Sequence, residues 1–274
     1  MTAKGKAKTA QNAQAEQEAG RLAGRIVLVT GASRGIGRAV AKAVAAHGAH
    51  VIAVARPRSV GALEALDDEI RSLGGSATLT PFDLTDGEAI DRLGAAIYER
   101  WGRLDALIGN AGRLGVLSPV THLDPKEWER TFAVNVHANF RLIRSLDPLL
   151  RRADDGRAIF VTSGAARRHK AYWGLYAATK AALETLVLTY AAECRLSGVK
   201  VNLVNPGPVR TAMRAQAYPG EDPETLPTAE EVAPLFVELL DPACMLHGQC
   251  VDFAGWRPGA LLGGGVAPSV ASAD

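Results

Sequence analysis

Residues 26–37 read Ile-Val-Leu-Val-Thr-Gly-Ala-Ser-Arg-Gly-Ile-Gly, and this stretch decides the fold. Ile26 to Thr30 form a short, β-branched apolar run bounded by glycine, the pattern of a strand buried in a parallel sheet. The run passes directly into Gly31, Gly35 and Gly37, and Arg38 to His47 then carry an alanine-rich helical pattern. A strand, a glycine-rich turn and a helix in that order bring a dinucleotide pyrophosphate onto a helix N-terminus, where unpaired N–H groups and the dipole favour anions. Glycine is needed where a side chain would collide with phosphate or with the strand. Glycine also caps ordinary turns, so the reading needs support from the rest of the chain.

That support comes from alternation. Strand-like runs recur at 51–55, 77–82, 104–109, 157–162, 199–204 and 249–253, separated by helical patterns at 59–73, 86–101, 126–152, 175–197 and 228–240. Strands alternating with helices indicate βαβ units, and right-handed crossovers assemble them into one α/β, Rossmann-type, doubly wound parallel sheet with helices on both faces. The expected organisation is a disordered tail over 1–21, one domain over 22–257 and a flexible tail over 258–274. No second domain or internal repeat is legible.

Composition narrows the classes of function. The chain has 274 residues, 47% of them hydrophobic, enough for one large core, and its net charge of +2 leaves no basic surface for nucleic acid. Lys4, Lys6, Lys8, Arg21 and Arg25 concentrate in the N-terminal segment. No segment has the length and apolarity of a membrane span, and the first twenty residues lack the apolar core of a secretory signal. Cys194, Cys244 and Cys250 have no metal-ligand spacing and read as reduced thiols. A cytoplasmic enzyme without a metal is the expectation, and His122, His137 and His169 read as surface or capping residues.

Ligands bind beyond the carboxyl ends of the strands in such a sheet. Gly31, Asp83, Asn110, Ser163 and Pro206 each fall at or just after the end of an expected strand, so one shared site follows from their placement. Tyr176 and Lys180 lie four residues apart in a helical run and project from one face. A phenol normally ionises near pH 10, and a neighbouring ammonium favours the phenolate, which makes proton exchange with a substrate oxygen feasible. With Ser163 bonding the same oxygen, the three form a proton relay for carbonyl or alcohol chemistry. The second strand ends at Ala55, where a carboxylate for a ribose 2′-hydroxyl would be expected, and Arg56 follows it. Guanidinium groups suit a phosphate instead.

Together Thr30-Gly31-x-x-x-Gly35-x-Gly37, Asn110-Ala111-Gly112, Asn135, Ser163, Tyr176-x-x-x-Lys180 and Asn205-Pro206-Gly207-x-Val209-x-Thr211 resemble the short-chain dehydrogenase/reductase family over residues 22–257. The resemblance implies about seven strands, and hydride transfer between a nicotinamide and a carbonyl or secondary alcohol. It implies Asn135, Ser163, Tyr176 and Lys180 as the catalytic set, with Asn135 perturbing its helix and holding a water that links Lys180 to solvent. Lys180 would also lower the Tyr176 pKa and bind the nicotinamide ribose. Gly31, Ser33, Arg34, Gly35, Ile36, Gly37, Arg56, Asp83, Leu84, Asn110, Ala111, Gly112, Pro206, Gly207, Val209 and Thr211, with Tyr176 and Lys180, are the implied cofactor contacts. Arg34 stands where NADP-preferring members carry a basic residue, so NADP(H) is favoured over NAD(H). Asp83 would bind the adenine amine or else cap the helix that follows. Trp173 would touch substrate or merely pack. Arg210 and Arg214, in the expected lid over 210–227, would attract an acidic substrate or carrier, or simply be solvated.

Length and motifs look like bacterial 3-oxoacyl-(acyl-carrier-protein) reductases, although His247-Gly248-Gln249 replaces the common Thr-Gly-Gln and the two asparagines usual before Ala111 are reduced to Asn110. The expectation is an NADP(H)-dependent oxidoreductase acting on a small carbonyl or secondary alcohol, such as a 3-oxoacyl thioester, as a homodimer or homotetramer. The alternatives are an NAD-dependent dehydrogenase of a sugar or another alcohol, and a non-catalytic NADPH-binding sensor or scaffold.

Overall fold

A computed structural model describes residues 20–262. Strands β1 (Ile26–Thr30), β2 (His50–Ala55), β3 (Ser76–Pro81), β4 (Ala106–Gly109), β5 (Arg157–Val161), β6 (Lys200–Asn205) and β7 (Cys250–Asp252) form one sheet of seven strands in the order β3-β2-β1-β4-β5-β6-β7. Every neighbouring pair is parallel. The chain starts in the middle, winds outward to one edge through β2 and β3, and returns to β4 on the other side of β1. That reversal is the topological switch point, where the carboxyl ends of β1 and β4 part and leave a crevice.

Side chains alternate across a strand, so β1 feeds two cores at once. Val27 and Val29 face α1 (Gly35–Ala46), α2 (Val60–Ser72) and α8 (Ala229–Leu240), while Ile26 and Leu28 face α3 (Gly87–Trp101), α5 (Ala138–Leu150) and α6 (Gly174–Glu193). Burial on both faces is why the strands read as continuous apolar runs. The doubly wound sheet expected from the alternation is therefore what forms.

The run expected as one helix over 126–152 is instead α4 (Pro125–Phe132), a wide π turn (Ala133–His137) and α5. Asn135 sits in the π turn, fully buried. A buried amide must be paired, and this one is: its Oδ1 accepts from Arg113 N at 2.9 Å, and its Nδ2 donates to Arg113 O and Thr179 Oγ1, both at 2.9 Å. Helix α6 ends at Glu193, before a 3-10 turn over Cys194–Leu196. His247 joins β6 to α6: its Nδ1 accepts from Val201 N at 3.2 Å and its Nε2 donates to Ala191 O at 2.8 Å.

The expected tails differ in their inner boundaries. Residues 1–19 and 263–274 lie outside the described residues. Arg21 reaches Asp241 at 3.8 Å, and Leu22 is buried. At the other end Pro258 to Leu262, expected in the flexible tail, pack onto α8. The cause is Glu238, a nearly buried carboxylate that accepts hydrogen bonds from Trp256 Nε1 at 3.1 Å, from Leu261 N at 3.4 Å and from Gly259 N. A carboxylate removed from water needs such donors, and the chain folds back to supply them.

Candidate active site

The glycine turn opens directly from β1. Gly31 and Gly35 hold φ of +70° and +55°, which side chains with a Cβ resist. Gly37 is needed for closeness: a Cβ there would run into the Gly31 backbone and the Asn110 amide. The turn is braced from below by Thr30, whose Oγ1 donates to Ile108 O at 3.2 Å and accepts from Asn110 N and Ala111 N, both at 3.0 Å. Asn110 Nδ2 donates to Thr30 O at 2.9 Å. Asn110 therefore clasps β1 to β4 across the switch point, with Ala111 and Gly112 passing over the crevice. Helix α1 follows with Arg34 at its N-cap, no side-chain cap and no acidic residue in its first turn. Ser33, Ile36 and the free N–H groups of this end can hold a pyrophosphate.

The motif after β6 arrives at the same place. Asn205 Oδ1 accepts from Gly164 N at 3.1 Å and Gly207 N at 3.2 Å, and its Nδ2 donates to Asp252 Oδ1 at 2.6 Å, which ties together the ends of β5, β6 and β7. Pro206 and Val209 are buried, Gly207 turns the chain at φ +68°, and Thr211 caps α7 (Ala212–Ala217) by accepting from Arg214 N at 3.2 Å. A Cβ built on Gly35 would lie 3.4 Å from the Thr211 methyl, so residues 176 apart in sequence border one crevice.

Tyr176 and Lys180 both lie on the buried face of α6, as their spacing requires. Lys180 Nζ donates to Val161 O at 2.8 Å and stands 5.7 Å from the centre of the Tyr176 ring. A Cβ on Gly112 would come within 3.6 Å of Nζ, which places the lysine under the crevice. Ser163 follows β5, accepts from Ala165 N at 3.2 Å and lies close enough to Tyr176 to act on its hydroxyl. The expected lowering of the tyrosine pKa by Lys180 is not what this geometry produces. Burial pushes Tyr176 up to about 12, against a downward pull from Ser163, and burial brings Lys180 down to about 8, against an upward pull from Glu184. Removal from water disfavours the charged form of each, and that effect exceeds their mutual influence. At neutral pH the site holds a protonated phenol beside an ammonium.

Arginines gather where β2 ends. Burial, then Arg58, and then Arg34 and Arg113 push the Arg56 guanidinium below its ordinary pKa, with Asp83 acting in the opposite direction. Like charges brought together this way can hold a phosphate. Asp83 does not cap α3: Asp86 takes that role by accepting from Ala89 N at 3.0 Å. Asp83 instead closes a tight turn by accepting from Thr85 N and Oγ1, both at 2.9 Å, beside buried Leu84.

Over the relay, Trp173 meets Tyr176 edge-on with 6.0 Å between ring centres and lies 5.6 Å from Tyr218, which follows α7. Lys170 Nζ donates to the Tyr218 hydroxyl at 3.0 Å. Arg210 pairs with Glu224 at 2.9 Å and Arg214 forks onto Glu221, so the charges of both arginines are answered within their own segment. Tyr172 adopts a left-handed φ of 74°, and its carbonyl accepts from Ser118 N at 3.1 Å. Such strain persists only where the surroundings impose it. Arg113, Lys170, Tyr218 and Glu184 escaped the sequence reading. For Glu184 a signal existed, since it lies four residues beyond Lys180 on the same helical face.

A short chain dehydrogenase family model matches residues 25–222. The uncharacterised oxidoreductase YciK of Escherichia coli K12 is 39% identical over 219 residues, covering 79% of this chain and 86% of that protein. Among solved structures, a short chain dehydrogenase of Shigella flexneri 2a in complex with NADP superposes with a TM-score of 0.81 at 37% identity, over 85% of this chain and 98% of the other. One from Escherichia coli CFT073 in complex with NADPH gives 0.81 at 38%, over 85% and 98%. The crevice at the switch point, the phenol and ammonium one turn apart beneath it and these likenesses in sequence and fold converge: the chain belongs to the short chain dehydrogenase family of oxidoreductases.

Proposed function

We propose that the protein is an NADPH-dependent reductase of a carbonyl group, with a 3-oxoacyl thioester as the substrate class to try first. The observation that carries the reaction type is the meeting of Ser163, Tyr176 and Lys180 beneath the crevice that the glycine turn opens. Gly31, Gly35, Gly37 and the free N–H groups of α1 fit a pyrophosphate, and Arg34 and Arg56, with no acidic residue at Ala55, fit a 2′-phosphate. Asp83, Leu84, Asn110, Ala111 and Gly112 would border the adenosine, and Pro206, Gly207, Val209 and Thr211 the nicotinamide side. The NADP and NADPH complexes of the two related structures support this choice over NAD(H).

A bound reduced nicotinamide supplies the hydride. The chain's own residues manage the oxygen that becomes an alcohol. Ser163 bonds and polarises it, and Tyr176 donates its proton to it. Tyr176, pushed up to about 12, is the protonated acid that reduction requires at neutral pH. The phenolate left behind is balanced by the Lys180 ammonium, which would also hold the nicotinamide ribose. Asn135 holds the segment after β4 at Arg113 and the helix at Thr179 in register beneath the relay.

We also propose a cytoplasmic homodimer or homotetramer built on α4 to α6. Trp128, Phe140 and Leu188 on these helices stay exposed, and the three cysteines are unpaired. The test of the activity is NADPH oxidation with an acetoacetyl thioester, run beside Tyr176→Phe. Turnover that requires Tyr176 supports both the reaction type and the substrate. NADPH binding without turnover discards the thioester and turns the search to sugar and other ketones, and it raises the standing of a non-catalytic NADPH-binding role.

A further inference from the structure

One acidic side chain behind the relay is held too firmly to be incidental. Glu184 is the next residue after Tyr176 and Lys180 in the i, i+4 series on α6, and only 13% of its side chain is exposed. Its Oε1 accepts from Thr162 Oγ1 at 2.8 Å, and its two oxygens accept from the Arg167 guanidinium at 3.3 and 3.4 Å. Thr162 immediately precedes Ser163, and Arg167 lies on the turn that leads from Ser163 towards Tyr176. One carboxylate therefore grips the chain on both sides of Ser163 while standing one helical turn from Lys180.

We propose that Glu184 is a positioning residue for the proton relay: it fixes the Ser163 segment against α6 and holds a negative charge one helical turn from Lys180. This rests on the reading that Ser163, Tyr176 and Lys180 act together. Thr162 is almost fully buried, so its hydroxyl needs a partner, and Glu184 is that partner. Lys180 is almost fully buried and spends its one described hydrogen bond on the neutral Val161 carbonyl, so no carboxylate touches it directly. Burial works against its charge, and the Glu184 charge is what opposes that loss. Arg167 limits the effect by neutralising part of the same carboxylate. Among the described residues, the other ionisable groups near the pair are Tyr176 on α6 itself and, on β7, Cys250, close enough to Arg167 and Glu184 for both to act on it, with Asp252 beside it. From the strand-end side Asn110 to Gly112 present only amide and backbone, and Arg113 is turned away to Glu127 at 2.6 Å.

The two neighbours of opposite charge make opposite predictions. In Glu184→Gln the Lys180 ammonium loses its support, so its titration midpoint falls below that of the wild type by about half a pH unit or more. In Arg167→Met the carboxylate is no longer neutralised, so the midpoint rises. The readout is an NMR titration of ¹³C-labelled lysine side chains in the whole protein, where eight lysines keep the spectrum simple and Lys180→Arg assigns the resonance. In parallel, the alkaline limb of kcat/KM should move to lower pH in Glu184→Gln and to higher pH in Arg167→Met. Midpoints that stay put, or that move the same way in both variants, overturn the proposal and leave Glu184 as a packing contact. Should Glu184→Gln fail to fold, Arg167→Met carries the test alone, an unmoved or lowered midpoint overturning it. The titration needs no substrate. A protein with no Tyr176-dependent turnover would sink the proposed function, while the lysine midpoints would still decide the role of Glu184.

Discussion

Tyr176 and Lys180 share one face of one helix, and burial moves them in opposite senses. The phenol rises to about 12 and the amine falls to about 8, so as pH rises through about 8 the pair changes from acid-plus-cation to acid alone. Reduction should therefore proceed with Tyr176 protonated at all ordinary pH values, and its rate should fall as pH rises through about 8, where Lys180 loses its proton. A kcat/KM profile that stays flat to pH 10 would contradict this assignment. Removing the phenolic hydroxyl in Tyr176→Phe should lower kcat by a factor of about 10² to 10⁴, the usual worth of a positioned general acid. NADPH binding, followed by protein fluorescence, should be nearly unchanged, because the hydroxyl faces the relay and the glycine turn does not depend on it.

At the scale of elements, the fold is fastened by polar groups placed where strands and helices end. The π turn around Asn135 joins α4 to α5 and clamps the segment after β4. Asn205 gathers the ends of β5, β6 and β7 beside the crevice. At the opposite end of the sheet Arg157, the first residue of β5, is fully buried and donates to Cys244 O at 2.6 Å, Pro242 O at 3.3 Å and Leu239 O at 3.4 Å, and pairs with Asp155 at 2.8 Å. It fastens the close of α8 to the centre of the sheet. Arg157→Met fills the space but leaves three carbonyls and a carboxylate short of donors. It should cost about 3–5 kcal/mol of stability, the range for breaking a buried ion pair, measured by urea unfolding. Because the crevice lies at the other end of the strands, the folded variant should keep its affinity for NADPH.

Over the whole molecule, separate segments bring positive charge to the end of β2. Arg34 comes from the glycine turn and Arg56 and Arg58 from the end of β2, so no single segment makes the cationic cluster. Arg34→Ala with Arg56→Ala should raise KM for NADPH at least about tenfold, as lost charge-assisted bonds to a phosphate would, and leave KM for NADH within about twofold. Equal effects on both cofactors would remove the 2′-phosphate from the account. The exposed apolar residues of α4 to α6 bear on assembly: sedimentation should show a dimer or tetramer, and Phe140→Glu should shift it towards monomer.

The alternation of apolar runs and the glycine turn were enough, from sequence, for the doubly wound sheet, because period and turn chemistry are local properties. The placement of Gly31, Asn110, Ser163 and Pro206 at strand ends followed from the same pattern. Tyr176 and Lys180 were brought to one face by helical geometry alone. What needed the tertiary structure was everything set by burial. How far desolvation moves Tyr176 and Lys180 depends on what packs over α6, and that raised the tyrosine where the spacing alone had suggested lowering it. The break of the expected long helix at Asn135 depends on Arg113 and Thr179, 22 and 44 residues away. The partners of Glu184, and the docking of Pro258 to Leu262 onto Glu238, arise in the same way. A buried polar group takes the nearest donor or acceptor in space, and sequence separation says little about which one that is.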